Sequence, residues 1–153
     1  LEGKGTLILA LTVKEFRVQY ALGSLSCIDL EKLAKRIGTP RKILTILSKD
    51  KERYVKYGVA TNIHTPMNIL TKLSTDKDYM IQNCVAQNSS TSKKVLKRLS
   101  EHVGSNVRYY VAGNPNTPVR VLVKLANDED VGVYSNARRN LTQMKNLKQI
   151  KGQ

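Results

Sequence analysis

From residue 39 onward the apolar residues return in a fixed order with a step of 26. Ile43, Ile69, Val95 and Val121 are each followed by a leucine, Leu44, Leu70, Leu96 and Leu122, and three residues later by another, Leu47, Leu73, Leu99 and Leu125. A second apolar set follows in each unit: Val55, Ile81, Val107 and Val133, then Val59, Val85, Val111 and Ala137. Polar positions keep the same step. Thr39-Pro40, Thr65-Pro66, Thr91-Ser92 and Thr117-Pro118 open the units, and Asn62, Asn88, Asn114 and Asn140 close them. So many columns in register over residues 39–142 mark four tandem units.

Each unit predicts two short helices. The Thr-Pro pair reads as a start, with the Thr hydroxyl capping free amides and Pro in the first helical position, where an N–H has no partner to lose. Helix A is therefore expected to begin at each Thr and to run about ten residues, to Asp50, Asp76 and Asp128, with its Ile and Leu columns on one stripe. Those Asp are expected to cap helix B. The third unit has His102 in their column, so Ser105 is expected to take over the cap and the second helix to start late. Helix B is expected to end at the Asn column, since Asn tolerates the left-handed conformation of a C-terminal cap.

Neither helix of a pair buries its stripe alone, so the units must stack. The expected fold is all-α, an α-solenoid of four 26-residue two-helix repeats over residues 39–142. In the N-terminal segment, residues 1–38, Leu30, Leu33 and Ala34 imitate the apolar step of helix A, which predicts a degenerate capping helix over residues 26–36. Residues 7–13 are apolar without a clear period, leaving a helix through Tyr20 or a short strand open. The basic tail, residues 143–153, is expected to fray or to extend the last helix. The longest apolar run has about half of the ~20 residues a membrane span needs, so a soluble, non-secreted protein with no membrane partner is expected, and two isolated Cys fit a reducing cytoplasm.

The stretch Val107-Arg108-Tyr109-Tyr110-Val111-Ala112-Gly113-Asn114-Pro115-Asn116-Thr117-Pro118, followed by Leu122, Leu125, Ala126 and Asp128, resembles the variant leucine-rich repeat of prokaryotic proteins. Units of that family carry a similar VRxxVAxNPxTPxxxLxxLAxD pattern. The resemblance implies a right-handed superhelix in which one helix of each pair is short and tight, of the 3-10 kind. Some members hold an iron–sulfur cluster in a Cys-rich N-terminal segment; only Cys27 stands there in this chain, and the cluster is not carried over. HEAT-like repeats, including the alkylpurine DNA glycosylases built from them, are the neighbouring resemblance. Neither fixes an activity.

Composition adds an aliphatic core, with 5% aromatic residues, no Trp and a single Phe. Cys27 and Cys84 lack a CxxC or His-rich companion, so no disulfide framework, metal site or other cofactor is expected. No P-loop, Gly-rich dinucleotide turn, HExxH or nucleophile elbow occurs in the sequence. His64 and His102 read as turn residues, Cys84 as an inert thiol and the recurring Asp as helix starts. The expectation is a protein without enzymatic activity or small-molecule substrate. The lack of Trp also weakens the glycosylase analogy, because base-extruding enzymes wall the flipped base with large rings.

Charge changes the picture most. The chain carries 26 Lys and Arg against 12 Asp and Glu, a net +14, where solubility asks for about 2 to 8. An anionic partner explains the excess. Lys42, Asn68, Lys94 and Arg120 fall opposite the apolar stripe of helix A, and Ile46, Lys72, Arg98 and Lys124 flank the same face, which predicts a basic stripe across successive units. On helix B, Lys56, Gln82 and Arg108 are expected to pack their stems and snorkel outward. Tyr54, Tyr57 and Tyr109 fall nearer its exposed side and are candidates to stack on unpaired bases. The leading expectation is a binding module that contacts DNA or RNA phosphates through Lys42, Lys72, Lys94, Arg98, Arg120 and Lys124, joined by Lys56, Arg108, Tyr57 and Tyr109. An acidic protein partner is the alternative, and a HEAT-like DNA glycosylase the third reading.

Overall fold

The computed structural model describes residues 11–151, among which there are ten helices and no strand. They are α1 (Val13–Ala21), α2 (Cys27–Lys35), α3 (Arg41–Leu47), α4 (Arg53–Thr61), α5 (Met67–Leu73), α6 (Tyr79–Gln87), α7 (Lys93–Leu99), α8 (Ser105–Gly113), α9 (Val119–Leu125) and α10 (Val131–Lys151). Helices α2, α4, α6, α8 and α10 stack directly on one another in one layer. Helices α3, α5, α7 and α9 form a second layer over it and approach each other less closely. The seam between the layers is the core, whose buried side chains are aliphatic except for Phe16 at its N-terminal end and Cys84. This arrangement is consistent with an α-solenoid.

Each first helix, α3 to α9 in odd numbers, has seven residues. That is far below the roughly 12 to 15 residues an isolated helix needs in water. Packing must hold them, and the Ile/Val, Leu and Leu columns are buried in all four. In the second-helix layer α2 and α4 pack so tightly that a Cβ on Gly58 would stand 2.8 Å from the Ala34 Cβ. Glycine there lets the two backbones approach.

The turn chemistry departs from expectation in a systematic way. Thr39, Thr65, Thr91 and Thr117 do not cap the first helices. Each is buried, and its Oγ1 donates at 2.5–2.6 Å to the carbonyl six residues earlier, on Leu33, Val59, Val85 and Val111. The hydroxyl thus adds a second bond to a carbonyl at the end of the preceding second helix, which also accepts the backbone amide of Arg36, Asn62, Asn88 or Asn114 three residues on. Pro40, Pro66 and Pro118 hold the cap position in extended backbone, so the first helices begin after the Pro and end at the Leu column, shorter than expected. They are α-helices, not 3-10 helices. In α7, Ser92 replaces Pro and accepts the Val95 amide at 3.3 Å.

The Asp column also acts one step earlier than a cap. Asp50, Asp76 and Asp128 accept through Oδ1 from the amides of Glu52, Asp78 and Asp130 at 2.8, 3.0 and 3.0 Å. His102 does the same with Nδ1, 2.9 Å from the Gly104 amide. That substitution keeps α8 in register rather than late, and Ser105 is its first helical residue, not its cap.

Asn62, Asn88 and Asn114 close their second helices in extended backbone, not in the left-handed region, whereas α10 does not end at Asn140 but continues through it. The side chains of the Asn column bridge units instead. Asn62 Nδ2 donates to the carbonyls of Ala34 and Arg36, Asn88 to Ala60 and Asn62, Asn114 to Ala86 and Asn88, and Asn140 to Ala112 and Asn114, at 2.7–3.0 Å. The Oδ1 atoms of Asn62, Asn88 and Asn114 accept the amides of His64, Ser90 and Asn116. A ladder of buried amides therefore runs along the second-helix layer, each rung resting on the one before.

The helix expected before the repeats forms as α2, but it belongs to the second-helix layer: Leu33 and Ala34 answer to Val59 and Ala60 and feed the ladder. Residues 7–10 lie outside the described residues, and from Val13 the chain is helical, with Thr12 and Glu15 in a reciprocal capping box. At the other end the tail extends α10 to Lys151.

Helix α1 is tied to the first unit by Tyr20, whose hydroxyl donates to Asp50 Oδ2 at 2.6 Å. Burial, reinforced by the bond to Asp50 and its charge, pushes the Tyr20 phenol up to about 12. A raised folded-state pKa adds stability that is whole below the unfolded value near 10 and is lost as pH rises through the folded value. Thermal melts from about pH 9 to about pH 12 are therefore expected to lower the Tm of the native chain more than that of Tyr20→Phe. Equal losses would show that the bond contributes nothing.

Candidate functional site

The first helices read RKILTIL, MNILTKL, KKVLKRL and VRVLVKL. None contains an acidic or an aromatic residue. Because their Ile/Val and Leu columns face the core, the outer surface is left to cations, to Thr45, Thr71 and Asn68, and to exposed Met67, Val119 and Val123. Lys42, Lys72, Lys94, Arg98, Arg120 and Lys124 are all exposed on this one layer. Arg98 Nη2 donates to Ser74 Oγ in the preceding unit. Lys124 reaches Glu101 at 3.4 Å, an exposed pair worth at most about 1 kcal/mol. The other four have no partner among the described residues. Arg41, Lys93 and Lys97 join the same surface. Their columns vary too much between units to announce themselves in the sequence.

Lys56 and Arg108 belong elsewhere, against the expectation that they snorkel outward. Lys56 Nζ lies 2.6 Å from Asp76 Oδ2. Arg108 meets Asp128 with two parallel bonds, Nε to Oδ2 and Nη2 to Oδ1, both 2.8 Å, with side chains only 11% and 10% exposed. Its Nη1 donates to the carbonyls of His102 and Val103. The hydrogen bonds from Arg108, outweighing burial, hold the Asp128 carboxyl below the usual range. Burial opposes the same shift at Asp76, but the Lys56 and Asp78 bonds lower it. In the unit between, neutral Gln82 stands in the cation's column and neutral His102 in the Asp column, and Gln82 donates to the Asp76 carbonyl. At these three sites cation and carboxylate come together and are absent together. The reason is that the site is half-buried, where either charge alone would be uncompensated. In the first unit Asp50 has Leu30 in the cation's column and is bonded by the Tyr20 hydroxyl instead.

Tyr57 and Tyr109 are not brought to the cations of the first helices. Tyr57 is half-buried, with Lys35 Nζ 5.3 Å from its ring centroid. The neighbouring Cys84 thiol and burial raise its pKa. Tyr109 packs edge-on against Tyr110. Both stand on second helices, as does exposed Tyr54, and each layer turns its buried side to the other, so the tyrosines and the cationic stripe face opposite ways. Among the described residues no group of three or more His, Cys, Asp and Glu is placed to hold a metal ion, and no described helix is long and apolar enough to cross a membrane.

The Arg108–Asp128 pair, the Asn114 rung and the Thr117 bond to Val111 all fall in one span of the chain. Residues 106–130 match the leucine rich repeat variant family. Searches of curated proteins and of solved structures gave no match. Outside the leucine rich repeat variant span, the Asn and Thr bonds recur in the other units with the same donors, acceptors and spacing. An all-helical repeat chain of this kind is a binding or scaffold module.

Proposed function

We propose that the chain is a right-handed α-solenoid of four 26-residue units behind a helical cap, and that it is a non-catalytic, cytoplasmic module whose first-helix layer lies along the phosphate backbone of double-stranded DNA or RNA. One observation carries the reading: four successive first helices expose Lys and Arg and contain no acidic residue. Helices in contact lie about 8 to 10 Å apart. Cations advancing unit by unit over at least that distance keep pace with phosphates, which fall at 3.4 Å of axis per strand. The same helices lack rings, so this face offers unpaired bases no stacking platform. That favours duplex over single strands.

An acidic protein partner is the second reading, favoured by Met67, Val119 and Val123 among the cations. Fluorescence-anisotropy titration of duplex DNA, duplex RNA and single strands across salt concentrations separates the two. Affinity for duplex is expected to fall steeply with salt and to change little with sequence. Lys94→Gln with Arg98→Gln is expected to shallow the log–log salt slope by about one to two units. No binding at low salt, or a slope untouched by the two changes, would favour the protein partner.

A further inference from the structure

Between α1 and α3 lies a cavity of about 480 Å³ lined by Arg17, Tyr20, Lys42, Thr45, Ile46 and Lys49. Three of these are cations and none is acidic. Arg17, Lys42 and Lys49 are exposed and have no hydrogen-bond or ion-pair partner among the described residues. The Tyr20 hydroxyl is committed to Asp50 and the Thr45 hydroxyl to the Arg41 carbonyl. The uncommitted polar groups around the cavity are therefore all positive.

Like charges around one cavity repel, and an anion relieves them. The groove near the other end of the first-helix row shows the alternative solution. There Lys124 faces Glu101, and Arg108 faces Asp128 and Glu129. The column of Lys49 holds Thr75, Glu101 and Asn127 in later units, so Lys49 has no cationic counterpart there.

We propose that this cavity binds a phosphate monoester or free phosphate: the terminal phosphate of a strand lying on the first-helix layer, or the ion from solution. A monoester carries about −1.5 to −2 at pH 7 and three acceptor oxygens. A backbone diester carries a single charge, which one Lys per helix answers. Three converging cations match the denser anion, and Lys42 makes the cavity continuous with the stripe. The strand-end form rests on the reading above; the cavity as an anion site does not.

The test has two arms. Inorganic phosphate titrated into the full chain is expected to shift the backbone amides of Lys42, Thr45, Ile46 and Lys49 in NMR spectra, and Arg17→Gln with Lys49→Gln to abolish the shifts. Duplexes of one sequence with 5′-phosphate are expected to bind about tenfold tighter than hydroxyl-ended ones. The same double variant should erase that difference. Lys94→Gln with Arg98→Gln should weaken both duplexes equally and keep it. Phosphate shifts without end preference assign the site to the free ion, and shifts in a protein that binds no duplex refute the nucleic-acid reading while the cavity stands. No shifts together with equal affinity for the two ends overturns the proposal. Both Arg17 and Lys49 are exposed, so the variants are expected to fold.

Discussion

Asn114→Ala is expected to lower the stability of the protein by about 3 kcal/mol, more than most single substitutions at a polar residue. The side chain is 2% exposed, donates twice to backbone carbonyls of the preceding unit and accepts the Asn116 amide. Alanine removes all three bonds and strands the Ala86 carbonyl in the seam, where an unsatisfied polar group costs far more than a missing bond, while the Asn88 carbonyl keeps the Thr91 amide. Because repeat arrays are held by nearest-neighbour interfaces, a broken middle rung should also let the two ends unfold separately. Urea denaturation should show a lower midpoint and a shallower transition. A loss below about 1 kcal/mol would mean that the ladder only decorates a seam held by aliphatic contacts.

Arg108→Gln alone is expected to cost about 3 kcal/mol, because it leaves Asp128 half-buried without its cation. The pairing of neutral Gln82 with neutral His102 in the neighbouring unit points to the rescue. Arg108→Gln combined with Asp128→His should recover most of the loss, since His accepts the turn amide as His102 does while neither residue is left as an unpaired charge. The double-mutant cycle in thermal or urea melts measures it, with an expected coupling of about 2 kcal/mol in favour of the pair. Additive losses would refute the pairing rule. The sign with pH is fixed by the lowered Asp128 pKa: the native pair contributes above the unfolded carboxylate value and is lost as pH falls through the folded one.

How much of this was legible before the structure depends on what each column does. The Ile, Leu and Val columns could be read as core because burial demands one chemistry at one spacing, and all of them are buried. The polar columns were legible as columns but not in their roles. Thr39, Asp50 and Asn62 each carry a residue type with a well-known local use, yet in each case the bond runs to a partner fixed by the turn or by stacking. Asn62 has its two acceptors, on Ala34 and Arg36, at the end of α2 and outside its own helix. The snorkelling expectation for Arg108 failed because the helix wheel shows one helix at a time, while its carboxylate lies 20 residues on, in the turn of the next unit. A signal was present all the same in the matched changes Lys56–Asp76, Gln82–His102 and Arg108–Asp128. The cationic layer was only partly visible: Lys42, Lys94 and Arg120 share a column, whereas Arg41, Lys93 and Lys97 sit in columns that hold Met67, Val119 and Val123 elsewhere.

The proposed division of labour between the layers predicts where a duplex touches the protein. Amide chemical-shift mapping with a short duplex at low salt reads it directly. Shifts concentrated in α3, α5, α7 and α9, with the outer side of α4 and α8 around Tyr54, Tyr57 and Tyr109 unchanged, are the expected result. Shifts centred on those tyrosines, with the first helices silent, would contradict it.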